Sequence, residues 1–415
     1  MKQLRLVLTL AALGLCTLRA QRDPEPIPDF SNLDEFIYEP KTTLSFGMRS
    51  LSGGKASFSG QATIRGTENP GSATDVNIAR GYHDGDVAPD SRIIDVERNE
   101  DGTPKFDADG FTIPIPIVPD GKTNGWRYFY PRQAEESPGF IALHTYSATI
   151  TDKSSRSQNG KGSVGMELAV SRDMGKLFNT RLSWSLSAGM TINDIAASTS
   201  GKVQADLVKL TDLYSLNGVA APTAPYDSQS PPTQIVAVVD VDGNPVFNED
   251  GTPQQLSVAD APILLASSPT SRTTSTTTDA TSVTTRSRLK GAYYTFRAGP
   301  TLWLPISNRF RASISVGATL IYAGATYTVN HAYQPETGVE IFDEVTGDDT
   351  RVLPGYYADA TMQFDITPRT GIYAGAILQG AGDYKQTLTT ATANYSSKVE
   401  FGHQNGFRAG MTVKF

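Results

Sequence analysis

The side chains with which this chain could do acid–base or nucleophilic chemistry are few and scattered. Its four histidines are His83, His144, His331 and His403. A hydrolase would need one of them beside a serine or between paired carboxylates. His144 and Ser147 stand three residues apart in a strand-like segment, so they face opposite sides and cannot pair directly. His83, Asp84 and Asp86 fall in a long segment rich in turn residues. The sequence therefore predicts that the protein is not an enzyme, and a hydrolase stays open as an alternative.

Clustered carboxylates around Asp-Gly dipeptides raise a second kind of chemistry, which is calcium binding. The hexapeptide N-E-D-G-T-P at residues 99–104 recurs at residues 248–253. A D-x-D-G beside each copy supplies the candidate calcium ligands, which are Asp107, Asp109, Asp240 and Asp242. Neither segment has the spaced acids and closing Glu of an EF-hand loop. Asp-Gly also favours tight hairpin turns, and the sequence favours turns with no bound cofactor.

Cysteine usage and charge exclude several classes of function. Cys16 is the one cysteine, and it lies in a typical signal peptide with an apolar run over residues 6–18 and cleavage expected after residue 20. The mature chain then has no disulfide, thiol nucleophile or cysteine metal ligand. Removing Lys2, Arg5 and Arg19 lowers the 36 basic residues to 33, against 43 acidic ones. This acidic balance predicts no nucleic-acid partner.

Alternation of apolar and polar residues is the main structural signal along the chain. The clearest runs cover residues 181–193, 292–306, 310–322 and 356–366. A period of two puts the apolar set on one face of a β-strand and the polar set on the other. These runs exceed the typical soluble strand of ~5–6 residues and are long enough to cross a membrane when tilted. Their polar positions include the charged residues Arg181, Arg311, Asp359 and Asp365.

The nine C-terminal residues carry the most specific pattern. They read F-R-A-G-M-T-V-K-F and place Phe407, Met411, Val413 and Phe415 on one face. The run resembles the closing strand of bacterial outer-membrane β-barrel proteins, whose terminal Phe is read by the barrel-assembly machinery. The resemblance implies an all-β fold, a transmembrane antiparallel up-and-down β-barrel in the cell outer membrane. It also implies outer-membrane lipid and, through Phe415, the assembly machinery as partners. A secreted or periplasmic β-sandwich is the alternative fold.

The expected organisation has three parts, a signal peptide at 1–20, a periplasmic leader at 21–40 and a barrel over 41–415. Counting strands gives about ten, with eight to fourteen possible. Short turns alternate with long links, which is typical of barrels with long extracellular loops. Two large loop insertions are expected, at about 66–137 and 194–284.

Two segments near the ends of the second insertion leave alternatives open. Residues 201–216 have apolar residues near helical spacing and are interpreted as loop packing, a short helix or a strand extension. The Ser/Thr-rich run 267–285 is interpreted as a mobile loop, an O-glycosylated segment or a polar strand above the membrane.

Three hypotheses about function follow from this organisation. A barrel of about ten strands is filled by its own side chains, because open aqueous channels need ~16–18 strands. The first hypothesis is therefore a structural or surface-binding protein that presents extracellular loops to a ligand or surface partner. The second is a porin-like passive channel for small solutes. The third is an outer-membrane hydrolase.

We predict that the protein is found in the outer-membrane fraction and that its unboiled form migrates differently from its boiled form on a denaturing gel. A closed barrel resists detergent because every strand is paired on both sides. The measurement is fractionation followed by a gel of boiled and unboiled samples. A periplasmic protein without a heat shift would instead support the β-sandwich.

Overall fold

The computed structural model describes residues 41–159, 162–178, 180–229, 233–238, 244–248, 251–259 and 261–415. The predicted signal peptide and leader lie outside these residues. The described helix is α1 (Arg132–Glu135). The strands are β1 (Thr42–Ser52), β2 (Lys55–Arg65), β3 (Arg80–Tyr82), β4 (Gly85–Val87), β5 (Ile93–Val96), β6 (Pro114–Pro116), β7 (Lys122–Thr123), β8 (Trp126–Tyr128), β9 (Phe140–Ile150), β10 (Arg156–Asn159), β11 (Ser163–Lys176), β12 (Ser183–Ser215), β13 (Tyr226–Asp227), β14 (Thr233–Ala237), β15 (Gln255–Ala259), β16 (Leu265–Ala266), β17 (Ser271–Pro305), β18 (Phe310–Glu336), β19 (Val339–Asp365), β20 (Thr370–Ala381), β21 (Tyr384–Thr389), β22 (Ala393–Glu400) and β23 (Gln404–Lys414). Within the described ranges, no helix has the length and apolar character needed to cross a membrane.

Eight strands pair in a closed ring. Its order is β11, β12, β17, β18, β19, β20, β23, β1 and back to β11, with every neighbour antiparallel. Thr42 and Phe415 exchange two backbone hydrogen bonds of 3.1 and 2.9 Å, which join the first and last strands at one end of the ring. The all-β prediction is confirmed. The predicted central value of about ten strands is too low for the whole described sheet, which has 13 strands and so falls within the expected range of eight to fourteen.

The outer face of the ring is apolar and its inner face is polar. Along the first half of β18, Ile314, Val316 and Leu320 point outward and are exposed, whereas Ser313 and Ser315 point inward and are buried. The other ring strands follow the same rule. A soluble protein would bury the apolar set, so this polarity is that of a barrel surrounded by lipid.

Above Leu320 the same alternate residues of β18 still point inward, but they are now apolar, and the outward residues are polar. Ile321, Val329 and Tyr333 point inward and are buried, whereas the alternate Thr326 and Thr328 are only partly buried. The reversal recurs on the neighbouring strands, where Asn193 pairs with Tyr293, Tyr293 with Ala323 and Ala323 with Arg351. The ring therefore continues upward as a structure with an apolar core and a polar exterior.

A second group of strands covers this apolar core. The upper part of β12 pairs with β9, and the sheet continues through β2, β22 and β21. These strands pack on the inner faces of β17 to β19, with ring centroids 5.8 Å apart for Phe58 and Tyr327. The far edge is closed by side chains, since Tyr384 Oη donates to the Asp349 carbonyl at 2.8 Å and Gln386 Nε2 to the Gly347 carbonyl at 2.7 Å. The extra strands explain why a count along the sequence fell short.

The two insertions form a cap on the upper strands. The first contains β3 to β8 and α1, and β3, β4 and β8 join β13 in a four-stranded sheet. Its apolar core centres on the buried Trp126 and Tyr128 and includes Leu143 of β9 and Tyr214 of β12. The expected second insertion at 194–284 includes the upper ends of two ring strands, because β12 runs to Ser215 and β17 begins at Ser271. Residues 201–216 are thus almost entirely strand, as is most of the Ser/Thr-rich run.

We predict that a charge on the apolar outer band prevents barrel assembly, whereas the same charge above the band does not. Met362→Lys places an ammonium where lipid is expected, at a cost of about 2–4 kcal/mol near the midplane. Thr350→Lys is the matched control, because Thr350 lies on the outward face of the same strand in its polar part. The measurement is the heat-shifted fraction on the gel. Equal loss in both variants would contradict the assigned band.

Candidate functional site

Four charged side chains from alternate strands of the ring meet in its lumen. Glu167 of β11, Arg297 of β17, Asp359 of β19 and Arg408 of β23 alternate in sign around the wall. Arg297 donates to Glu167 Oε1 and to Asp359 Oδ2, both at 2.9 Å. Arg408 contacts the same two carboxylates, with 3.2 Å to Asp359 Oδ2. We call this set the charge layer.

The charge layer fills the ring. All four side chains are at most 9% exposed. Arg297 stacks over Tyr357 and Arg408 over Tyr373, with 5.2 and 5.0 Å from the guanidinium carbon to the ring centroid. Gly47 and Gly189 stand on the intervening strands, and a Cβ at Gly47 would clash with the Tyr373 hydroxyl and a Cβ at Gly189 with Ala169. The lumen is thus largely occupied by side chains, as expected for a ring of eight strands, and they leave a cavity of about 50 Å³ beside Arg297, Asp359 and Arg408.

The charged residues predicted for the interior divide between the lumen and its lower end. Asp359 lies in the charge layer. Asp365 sits near the short turns, where it contacts Lys414 Nζ at 2.7 Å and Arg311 Nε at 3.6 Å. Arg181 is exposed in the turn before β12. Asp359 was therefore the informative residue in the alternating pattern, whereas Arg181 was not.

His331 lies in the apolar core above the ring. His331 is 0% exposed to solvent. Its Nδ1 contacts Thr285 Oγ1 at 2.9 Å, and its Nε2 contacts the Tyr395 hydroxyl at 2.5 Å. Burial lowers the pKa of His331 to about 4, because the imidazolium would lose its hydration there. Its cross-strand neighbour is Asp343. The imidazole is neutral at pH 7 and joins β17, β18 and β22, so its role is structural.

His83 and His144 make hydrogen bonds that hold the cap on the strands below it. His144 Nδ1 contacts Asp84 Oδ2 at 2.6 Å, and its backbone N–H donates to Asp84 Oδ1 at 2.8 Å. His83 Nδ1 accepts from the Tyr146 N–H at 3.2 Å, and its Nε2 lies 3.1 Å from Glu68 Oε2. Burial is the main cause that lowers the pKa of His83. Asp84 and His144 resemble a catalytic acid–base pair, yet both are buried, and His144 Nε2 has no hydrogen-bond partner among the described residues.

Sequence reasoning missed the contact between Asp84 and His144. The two residues are 60 positions apart, and nothing local marks them as partners. It also missed Tyr82, whose hydroxyl donates to Asp212 Oδ2 at 2.5 Å. Arg272 binds the same carboxylate with two hydrogen bonds of 2.6 and 2.7 Å. These buried polar contacts tie the first insertion to β9, β12 and β17.

Two segments of the insertions share one backbone hydrogen-bond pattern, and we call them arms. The first arm is residues 93–118, and the second is the described part of residues 233–259. In the first, Glu97, Lys105 and Ile113 form a ring of three backbone hydrogen bonds of 2.7–3.0 Å. In the second, Val238, Val246 and Gln254 form the same ring with bonds of 2.7–2.9 Å. The contacting residues are eight positions apart in both arms.

The repeated hexapeptide forms the same turn in both arms. The Asn99 N–H donates to the Thr103 carbonyl at 2.8 Å, and the Asn248 N–H to the Thr252 carbonyl at 2.7 Å. The following glycines have φ values of +83° and +79°, a conformation that glycine adopts without steric cost. The eight-residue period was visible in the sequence, where x-D-G-x recurs at 100–103 and 108–111. The sequence-based prediction rests on the hexapeptide and the D-x-D-G beside it, but not on their eight-residue spacing.

The candidate calcium ligands do not converge within the described residues. Asp107 Oδ1 accepts from the backbone N–H groups of Asp109 and Phe111 at 3.0 and 2.9 Å. This bonding is that of an Asx turn. Asp240 and Asp242 lie outside the described residues. No group of three or more candidate metal ligands occurs in the described part of the chain.

Comparisons with known proteins give distant structural likenesses. Outer membrane protease OmpT from Escherichia coli is 9% identical to this chain with a TM-score of 0.25, over 91% of this chain and 97% of that chain. A FadL homologue from Pseudomonas aeruginosa is 10% identical with a TM-score of 0.18, over 90% of each chain. No protein-family model and no curated protein matches the chain. At these TM-scores neither likeness carries an argument about activity, and the barrel rests on the strand pairings.

We predict that Glu167→Gln destabilises the barrel by about 3–5 kcal/mol, because it leaves two buried guanidinium groups short of a negative charge. Urea unfolding of the refolded protein in detergent measures the change. Glu344→Gln, an exposed position on β19, is the matched control and should stay within about 0.5 kcal/mol of wild type. A small effect of Glu167→Gln would mean that the charge layer does not hold the ring together.

We predict that His331 makes the upper core sensitive to acid. The pKa of His331 is about 4 in the folded protein and about 6.5 when unfolded, so the unfolded state binds the extra proton between these values. Its contribution is fully present above pH 6.5 and is lost as pH falls towards 4, by up to about 3 kcal/mol. Urea unfolding at pH 7, 5.5 and 4.5 measures it. His331→Gln should flatten this dependence, and an unchanged slope would contradict the assignment.

Proposed function

We propose that this chain, an outer-membrane β-barrel by its closed ring, apolar outer face and polar lumen, is a non-conducting and non-enzymatic surface-binding protein. The barrel holds a rigid extracellular cap, and the two arms of the cap contact a ligand or surface partner outside the cell. The filled lumen is the observation that carries the proposal, because it leaves the surface as the place where the protein can act.

Two successive layers of buried side chains inside the barrel support the proposal that it does not conduct ions. The charge layer crosses the membrane-embedded ring with side chains at most 9% exposed. Above it, the apolar core contains fully buried side chains such as Ile64, Ile321 and Val329. An ion would have to displace both, and an apolar core offers it no hydration. The structure of the lumen therefore does not favour the hypothesis of a porin-like channel.

Exposed apolar side chains on the arms support binding at the surface. Phe106 and Phe111 of the first arm are 58% and 70% exposed, and Val118 at its base is 78% exposed. Phe247 of the second arm is 56% exposed. Exposed aromatic groups concentrated on a projecting element are typical of interaction sites. The backbone rings hold both arms without an apolar core, which leaves these side chains free to make contacts.

The proposal includes two further partners. Outer-membrane lipid surrounds the apolar band of the ring, and the barrel-assembly machinery recognises the closing strand with Phe415. The hydrolase alternative has less support, because Asp84, in the turn between β3 and β4, and His144 of β9 are both buried.

We predict no conductance from the purified protein in planar bilayers and a loss of surface binding when the arms lose their aromatic groups. Vesicles that carry wild-type protein should adhere to hydrocarbon-coated beads and to vesicles bearing a second copy more than vesicles carrying Phe106→Ser, Phe111→Ser and Phe247→Ser together. Burial of each ring contributes about 1.5–3 kcal/mol, so the loss should exceed tenfold.

The matched control changes exposed polar residues of the same arms, Lys105→Ser and Glu100→Ser, and should adhere like wild type. A gel heat shift verifies that every variant is folded. Stable single-channel steps, or equal adhesion of all variants, would overturn the proposal.

A further inference from the structure

We propose that the barrel lumen binds one small monovalent anion, of the halide class, at Arg49 between the charge layer and the apolar core. Arg49 points into the lumen from β1 and is 1% exposed. Its Nη2 donates to Gln379 Oε1 at 2.8 Å. Its Nε and Nη1 have no hydrogen-bond partner among the described residues. A buried guanidinium with two unused donors is costly unless something accepts from them.

The neighbouring charges leave a positive excess at this height. Arg49 stands directly across the β1–β23 ladder from Arg408. Arg49, Arg297 and Arg408 bring three positive charges, against two negative charges from Glu167 and Asp359. Like charges on directly opposed residues repel, and the four-membered charge layer already uses its carboxylates on Arg297 and Arg408. One bound negative charge makes this described part of the lumen neutral.

Other unused donors lie at the same level. The Tyr293 hydroxyl, the Ser163 hydroxyl and the Asn193 amide are buried and have no hydrogen-bond partner among the described residues. Tyr293, Ser163 and Gln404 line a cavity of about 50 Å³, which exceeds the ~10–15 Å³ needed for one water molecule. The exposed Lys55 and Asp194 line the same cavity with opposite charges. The Tyr293 and Ser163 hydroxyls and the Gln404 amide are the donors at this cavity, and Arg49, a neighbour of Tyr293, supplies the positive charge beside it; together they match a compact anion.

Bound water is the competing occupant of this space. Glu167 Oε2 is also buried without a partner, and a water molecule could link it to Arg49. Water would satisfy the donors and leave the charge excess in place, whereas an anion removes both penalties. An anion that binds the folded barrel and not the unfolded chain raises its stability with anion concentration. The two occupants are therefore distinguished by salt identity at fixed ionic strength.

The test compares the temperature at which the folded band is lost in sodium chloride and in sodium gluconate of equal concentration, with gluconate as an anion too large for the cavity. Wild type should convert a few degrees higher in chloride, and the rise should saturate with chloride concentration. Arg49→Gln should abolish the difference between the salts. Arg288→Gln, at an exposed position of β17, should keep it. Equal temperatures for wild type, or a difference retained in Arg49→Gln, would overturn the proposal.

A crystal grown in sodium bromide keeps the test decisive if Arg49→Gln yields no folded barrel. An anomalous peak within about 3.5 Å of the Arg49 guanidinium supports the anion site. Density there without anomalous signal identifies water and overturns it.

Discussion

The alternating charges of Glu167, Arg297, Asp359 and Arg408 are the interaction on which the barrel depends. A closed ring of eight strands directs one side chain from every second strand towards the same small space. Unpaired charges in that space would be prohibitively costly, but the alternation of acid and base gives each carboxylate two guanidinium partners. The bonds connect β11, β17, β19 and β23, which are far apart in sequence. The layer thus links the strands of the ring and occupies its lumen with the same atoms.

The reversal of polarity along continuous strands explains how one sheet serves two solvents. Below Asn193 and Tyr293, the outward residues are apolar because they face lipid, and the inward residues are polar. Above this point, the outward residues are polar because they face water, and the inward residues form an apolar core. The strands need no break at the boundary, because the inward positions stay inward and only their chemistry changes. The long paired strands run without a break from the membrane-embedded ring to the cap.

Much of this fold was readable from residue alternation, and the parts that were not have physical reasons. Runs such as 310–322 alternate with one polarity, so strand type and lipid-facing side were predictable. Residues 201–216 were ambiguous because their inward residues are apolar, as in any soluble strand or helix. Asp359 was recognisable as an interior charge, but its partners Arg297 and Arg408, and the second carboxylate Glu167, come from three other strands. Asp84 and His144 are joined only by tertiary structure.

The eight-residue spacing makes the number of turns in an arm a modular quantity. In the first arm each block contributes one Asp-Gly turn and returns the backbone to the three-bond ring. Gain or loss of a whole block would add or remove one turn beside that ring without disturbing the strands below. The surface that the arms present can therefore vary by duplication within one exposed segment, while the membrane-embedded ring, whose charges admit no such freedom, stays constant.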